Sequence, residues 1–216
     1  NSTKNSMTVK GLAEKPIKAD LARWEVNLQT SHASDSIPEA YQLLDQQMKT
    51  LQDFFVEHGF KADDIQLGNK SSQSYYEEVE TDEGRTRREF KGYIAMQSLV
   101  INSRDIQKIE KAAKDAYLLD EKGIAIAQKP DYLVSNLEEI KMSLIANATK
   151  NAYSRANEFA KVGGAKVGSM RSASQGAFYI LPESGSDEDS DYGGAYDKAT
   201  INKIARVVVT INYAIE

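Results

Sequence analysis

The C-terminal stretch constrains the fold more than any other part of the chain. Ala205, Val207, Val209, Ile211, Tyr213 and Ile215 are apolar at alternate positions, with Arg206, Thr210 and Asn212 between them. Strict alternation marks a strand buried on one face. Such a strand must dock into a sheet, so the chain end has to return to residues far earlier, as a hairpin or a Greek-key-like closure. Ala22, Trp24, Val26, Leu28 and Thr30 repeat the alternation near the other end. Met7, Val9 and Gly11 make a shorter strand-like lead, and Lys15-Pro16 reads as the break between the two.

Helical periods fill the space between. Ile37, Tyr41, Leu44, Met48, Leu51 and Phe55 draw one apolar stripe, with Asp35 or Ser36 as cap, Pro38 in the first turn and Gly59 at the end. A second helix is expected over 105–119, with Ile106, Ile109, Ala113, Ala116 and Tyr117 as its stripe. Ser135 and Glu138 form a capping box for a third. Its face runs through Leu137, Ile140, Leu144, Ala148, Ala152, Ala156 and Phe159 to Gly163-Gly164.

Two long arms over 65–80 and 87–102 predict a hairpin turning at Glu83-Gly84, with Glu80 opposite Arg87 and Asp82 opposite Arg85. Ile124 to Ala127 opens a further strand that continues past Pro130 to Val134, and another is expected over 167–179. These elements give an α+β fold, a mixed and largely antiparallel sheet with about three helices packed on it, in the order β-α-β-β-α-β-α-β-β. Residues 1–6 read as a disordered or trimmed N-terminus, and 7–216 as one domain with a flexible acidic loop at 182–199.

Charge bears on function by exclusion. Twenty-seven Lys and Arg against thirty-two Asp and Glu leave a net charge of −5, which argues against a broad nucleic-acid surface. No apolar run approaches the ~18 residues of a membrane span. The chain does not begin with Met, which leaves a removed signal or anchor open. It has no cysteine, so thiol chemistry is absent.

Asp187, Asp189 and Asp191 keep the first spacing of a calcium loop. Tyr192 then occupies the glycine position and Lys198 the place of the bidentate Glu, so a solvated loop is the better reading. Gly163-Gly164-Ala165-Lys166-Val167-Gly168-Ser169 is a partial match to a phosphate loop, but it follows a helix, whereas a phosphate loop follows a strand. His32 and His58 have no metal-spaced partners, and Ser172-Ala173-Ser174-Gln175-Gly176 lacks the first glycine of a nucleophile elbow. No catalytic, cofactor-binding or metal residue is assigned, and the chain is not expected to be an enzyme. One basic cluster stands out: Arg85, Arg87, Arg88 and Lys91, beside Tyr75 and Tyr76 and close to Phe90 and Tyr93. These residues are a candidate interaction surface. The plainer reading is a hairpin neutralising its own Glu77, Glu78 and Glu80.

Several stretches resemble one family. Val9-Lys10-Gly11-Leu12-Ala13-Glu14-Lys15-Pro16 is similar to the opening strand of SIMPL-domain proteins of the bacterial envelope. Asp64-Ile65-Gln66, Gly92-Tyr93 and Ser98-Leu99-Val100-Ile101 follow in order. Ala148, Ala152, Arg155-Ala156, Phe159-Ala160 and Gly163-Gly164-Ala165-Lys166-Val167-Gly168 resemble the family's helix-to-strand signature. Ile17-Lys18-Ala19 departs from the pattern as an insertion before Asp20. The resemblance implies a periplasmic or secreted location, an α+β fold and a tendency to assemble, and it brings no catalytic residues. The expected role is therefore non-enzymatic: self-assembly, or binding of an envelope partner. A small-ligand or ion-binding module is the alternative.

Overall fold

The computed structural model describes residues 5–184 and 195–216. The acidic triad Asp187, Asp189 and Asp191 lies outside the described residues. The chain forms two compact units, one of residues 1–19 with 133–216 and the other of residues 20–132.

The first unit is a three-stranded antiparallel sheet under one helix. β1 (Ser6–Lys18) and β7 (Val167–Pro182) flank β8 (Asn202–Ile215). The C-terminal strand docks into the sheet, as its alternation required; it takes the central position and buries Ala205, Val207, Val209, Ile211 and Tyr213. The long helix α3 (Leu137–Val162) covers that face with Ile140, Leu144, Ala148, Ala152, Ala156 and Ala160, all buried. Alanine at every fourth position lets helix and sheet approach closely. The contact is tightest at Gly11 on β1, where a Cβ would stand 2.0 Å from the Ala148 carbonyl oxygen and 2.8 Å from the Ala152 Cβ.

Two expectations fail in this unit. β1 does not break at Pro16 but runs on to Lys18, with Pro16 opposite Ile204. Leu12 N–H and Lys10 C=O both bond to α3, so even-numbered residues turn their backbone groups away from β8. The N–H that Pro16 lacks would therefore have faced outward, and no ladder bond is lost. The α3 N-cap is Asn136 rather than Ser135, and it makes no side-chain cap bond. Val134 is buried and its N–H donates to the Tyr196 hydroxyl (3.2 Å), which holds the chain extended up to the helix.

The second unit sets two helices on one face of a five-stranded sheet. Its path is β3 (Ile65–Leu67), β5 (Thr86–Ser103), β2 (Leu21–Gln29) and β6 (Asp131–Leu133), with β4 (Ser71–Glu80) also paired to β5. α1 (Ile37–Glu57) begins at Ser36, whose hydroxyl accepts from Glu39 N–H (3.3 Å). α2 (Ile106–Asp115) starts at Asp105 and tightens into a 3-10 helix at Ala116–Lys122. Trp24, Val26, Leu28, Leu99 and Ile101 are buried with Leu44, Leu51, Phe55 and Ile109. Trp24 meets Phe55 edge to face at 5.4 Å, and its indole donates to the Gln128 carbonyl (2.9 Å).

The strand expected from Ile124 does not form, and only Asp131–Leu133 is extended. Ile124 N–H closes the 3-10 turn onto Leu119, and the Gln128 side chain takes the Asn27 N–H of β2 that a neighbouring strand would pair. The hairpin register also differs from the expected one. Glu80 faces Thr86, Val79 faces Arg87 and Glu78 faces Arg88. Thr81 N–H donates to Arg85 C=O and Gly84 N–H to Thr81 C=O, so the loop is 82–84, three residues long, and every pair shifts by one. The pairings of β1 and β7 with β8, and of β2, β3 and β4 with β5, are antiparallel, and the fold is α+β.

Candidate functional site

β5 is 18 residues long, but β2 accompanies it only from Met96 onward. Before that point β4 is its only strand neighbour among the described residues, and the two form a ribbon that leaves the sheet. Its root is clamped by Ser34 and Tyr93, which exchange both backbone hydrogen bonds at 2.8 Å. Gly92 makes this clamp feasible: its φ is +124°, and a Cβ there would sit 2.3 Å from the Ser34 carbonyl oxygen.

Two-stranded ribbons are marginal in water, so the arm needs support of its own. One face supplies it. Tyr76 and Phe90 meet at 5.6 Å, Phe90 and Tyr93 at 5.4 Å, and the Arg88 guanidinium lies 4.5 Å from the Tyr76 ring centroid. Each aromatic pair contributes about 0.5–1.5 kcal/mol, and an exposed cation–π contact about 0.5–1 kcal/mol. A register shift at Tyr75/Tyr76 leaves Lys91 without an opposite residue. In a regular strand Phe90 and Tyr93 would point to opposite faces, and the bulge brings them onto one.

All six residues of the candidate surface fall on this arm. Arg88 shares the aromatic face with Tyr76. Tyr75 and Arg87 lie on the other face, Arg85 stands at the loop and Lys91 at the bulge. That second face holds a like-charge pair, Glu77 opposite Glu89, relieved by Lys91 at 3.5 Å from Glu89. Among the described residues, Arg85, Arg87 and Arg88 have no carboxylate within 4.0 Å, although Glu78 faces Arg88 across the ladder. β4 is thus rich in acid (Glu77, Glu78, Glu80), and β5 with its preceding residue in base (Arg85, Arg87, Arg88, Lys91). Phe90, half-exposed at 50%, completes the ladder, and only the bulge reveals its role.

Elsewhere, polar groups are engaged in holding elements together. His58 ends α1 with Nδ1 2.8 Å from the Phe54 carbonyl oxygen and Nε2 2.8 Å from Asp115 Oδ2. The Asp115 carboxyl is held below the ordinary carboxylate range, first by His58 and then by Lys111. In the first unit, Lys203 is fully buried and its Nζ reaches Asp197 Oδ2 (2.8 Å) and the Asp197 carbonyl (2.6 Å). Burial pushes the Asp197 carboxyl up, but bonds from Lys203 and Thr200 outweigh it and the net direction is down. Burial likewise raises the Tyr132 and Tyr213 phenols. The outer edge of β1 is partly covered: Asn151 accepts from Leu12 N–H (2.9 Å) and Arg155 donates to Lys10 C=O (3.2 Å). Beside it lies a groove of about 590 Å³ walled by Thr8, Lys10, Arg155, Glu158 and Phe159. Among the described residues no helix is long and apolar enough to cross a membrane.

Comparison with known proteins adds one firm result. No curated protein matches the chain. The designed protein Foldit4 aligns with a TM-score of 0.25 at 7% identity, covering 51% of this chain and 94% of its own. CutA from Synechococcus elongatus aligns at 0.21 and 10%, covering 62% and 96%. An uncharacterized conserved protein from Listeria innocua aligns at 0.21 and 11%, covering 91% of both chains. At such scores these likenesses carry no argument. The family model described as SIMPL, protein of unknown function (DUF541), matches residues 7–211. Gly11, Gly92 and Arg155, singled out above by their contacts, all lie within that match, and the chain belongs to the SIMPL family.

Proposed function

We propose that this chain is a non-enzymatic protein of the bacterial cell envelope, located in the periplasm, that works by assembling with further copies of itself through the β4–β5 arm. The observation that carries the reading is the arm's polarity. Acidic β4 and basic β5 run side by side, three arginines have no carboxylate at ion-pair distance among the described residues, and an aromatic ladder is left in water. Two arms related by a two-fold axis, aromatic face on aromatic face, set the acids of one against the bases of the other. The outer edge of β4 adds main-chain groups for strand pairing. The periplasmic location and the non-enzymatic role both rest on the family resemblance, which brings no catalytic residues.

Analytical ultracentrifugation over a concentration series tests the assembly. The parent is expected to self-associate, more weakly at high salt. The triple variant Arg85→Glu, Arg87→Glu, Arg88→Glu is expected to remain monomeric with its fold intact. A parent that stays monomeric at high protein concentration, or a triple variant that associates equally well, would overturn the reading.

A further inference from the structure

The open face of the second unit's sheet carries a trough of about 390 Å³, within the ~300–1,000 Å³ of small-ligand sites. Five of its nine lining residues are carboxamides: Asn27, Gln29, Asn69, Gln97 and Gln128. Ser71 and Ser98 add hydroxyls and Met96 the apolar part, while Leu28 lies at the floor with its side chain buried in the core. None of the nine is ionisable, in a chain where 27% of residues are charged. Two lysines adjoin lining residues along the chain: Lys70, held by Asp45 at 2.6 Å, and Lys129, which is exposed and is not itself a lining residue.

The walls are fixed in place. On one side, the segment 68–70 is tied to β5 by Gly68 N–H to Ser98 C=O (2.8 Å) and by Gln97 Nε2 to Gly68 C=O (2.9 Å). On the other, Gln128 is anchored through its Oε1 to Asn27 N–H (3.0 Å) and through its carbonyl to the Trp24 indole (2.9 Å). The Gln128 amide nitrogen is left over as a donor. Asn27 and Gln29 stand exposed on adjacent outward positions of β2, and Ser98 and Met96 face them from β5.

We infer that this trough binds a neutral, polyhydroxylated ligand: an uncharged oligosaccharide. A site without an ionisable group gives an anionic or cationic ligand no counter-charge. It lies on a sheet face, and an extended peptide adds at an edge. A carboxamide offers donor and acceptor a short distance apart, and so does a pair of sugar hydroxyls. Met96, half-buried on the same face as Asn27 and Gln29, provides contact for the C–H face of a ring. The site is separate from the arm's charged residues, so its test is independent of assembly.

A glycan array of neutral and acidic oligosaccharides identifies binders, and calorimetry with maltotriose and N,N′-diacetylchitobiose supplies fixed probes. The expected result is binding of at least one neutral oligosaccharide. It should be weakened about tenfold or more by Asn27→Ala with Gln29→Ala and be unchanged by Arg87→Glu on the arm. Both β2 positions are exposed, and Trp24 fluorescence verifies that the variant is folded. The inference is overturned if neither the array nor the two probes bind at about 10 mM. It is also overturned if acidic sugars bind better, or if the paired Ala variant binds as the parent does.

Discussion

The buried pair Lys203–Asp197 makes a quantitative demand on the first unit. Lys203 has a side-chain exposure of 0%, and Asp197 keeps 15%. Asp197→Asn preserves shape, and its amide oxygen can still accept from Thr200 and Lys203, but it leaves the buried ammonium with no counter-charge. Stripping a buried charge of its counter-ion costs about 3–5 kcal/mol. A unit of this size has a total stability of about 5–15 kcal/mol, so the variant should lose a large fraction of it.

Lys203→Met removes the need for the counter-ion. Asp197 still accepts from Ala199 and Thr200, so that loss should be about 1–2 kcal/mol. With both changes made, no charge remains buried, and stability should return to within about 1.5 kcal/mol of the parent. Urea unfolding followed by far-UV circular dichroism measures the cycle. Fluorescence of Trp24, the single tryptophan, follows the second unit separately. The reasoning fails if Asp197→Asn lies within about 1 kcal/mol of the parent, or if the double variant is no better than Asp197→Asn alone.

Gly11→Ala should destabilise the first unit by about 2–3 kcal/mol, because the new methyl meets helix backbone and α3 must move off its alanine stripe; an unchanged urea midpoint refutes this. Gly92→Ala should cost about 2–4 kcal/mol and raise hydrogen exchange at the arm root, since it combines a positive φ with a clash against Ser34; unchanged exchange at Tyr93 refutes this. Acid should weaken both units. Asp115 and Asp197 have folded pKa values below the unfolded ~3.9, so the unfolded chain takes up protons first as pH falls. The stability they contribute is present above about pH 4 and is lost as pH drops through the depressed folded values. Asp115→Asn should flatten this dependence for the second unit when Trp24 fluorescence is followed between neutral pH and pH 3, and a variant profile parallel to the parent's counts against it.

Periodicity carried most of the fold. β8, α1 and α3 were legible because each buries a single face, and burial of one face leaves its period in the residues. Pro16 misled because a proline normally costs a ladder bond, and only strand order tells which side of β1 its nitrogen faces. Ile124 and Ile126 show the reverse case: their alternation reflects burial of Ile124 beside a 3-10 turn, without a ladder. The candidate surface was visible as a basic, aromatic cluster. Its geometry was not, since a three-residue loop and a bulge each move side chains across the ribbon. The carboxamide trough had no signature at all. Its residues come from four separated segments, and Asn and Gln on a strand's outer face look like ordinary solvated positions until the sheet assembles them.

The continuity of β5 has a mechanical consequence. At about 3.3 Å per residue its 18 residues make a rod about 60 Å long. Its lower half is bonded on both sides by β2 and β3, and its upper half forms one rail of the arm. A pull on the arm tip along the strand therefore loads a whole row of crosswise hydrogen bonds in shear at once, and they have to yield together. Peeling them one at a time would need a sideways pull on an arm that the Ser34–Tyr93 clamp holds at its base. A tether fixed at Arg87 or Arg88 would thus be anchored in the core of the second unit, with no loop in series to give way.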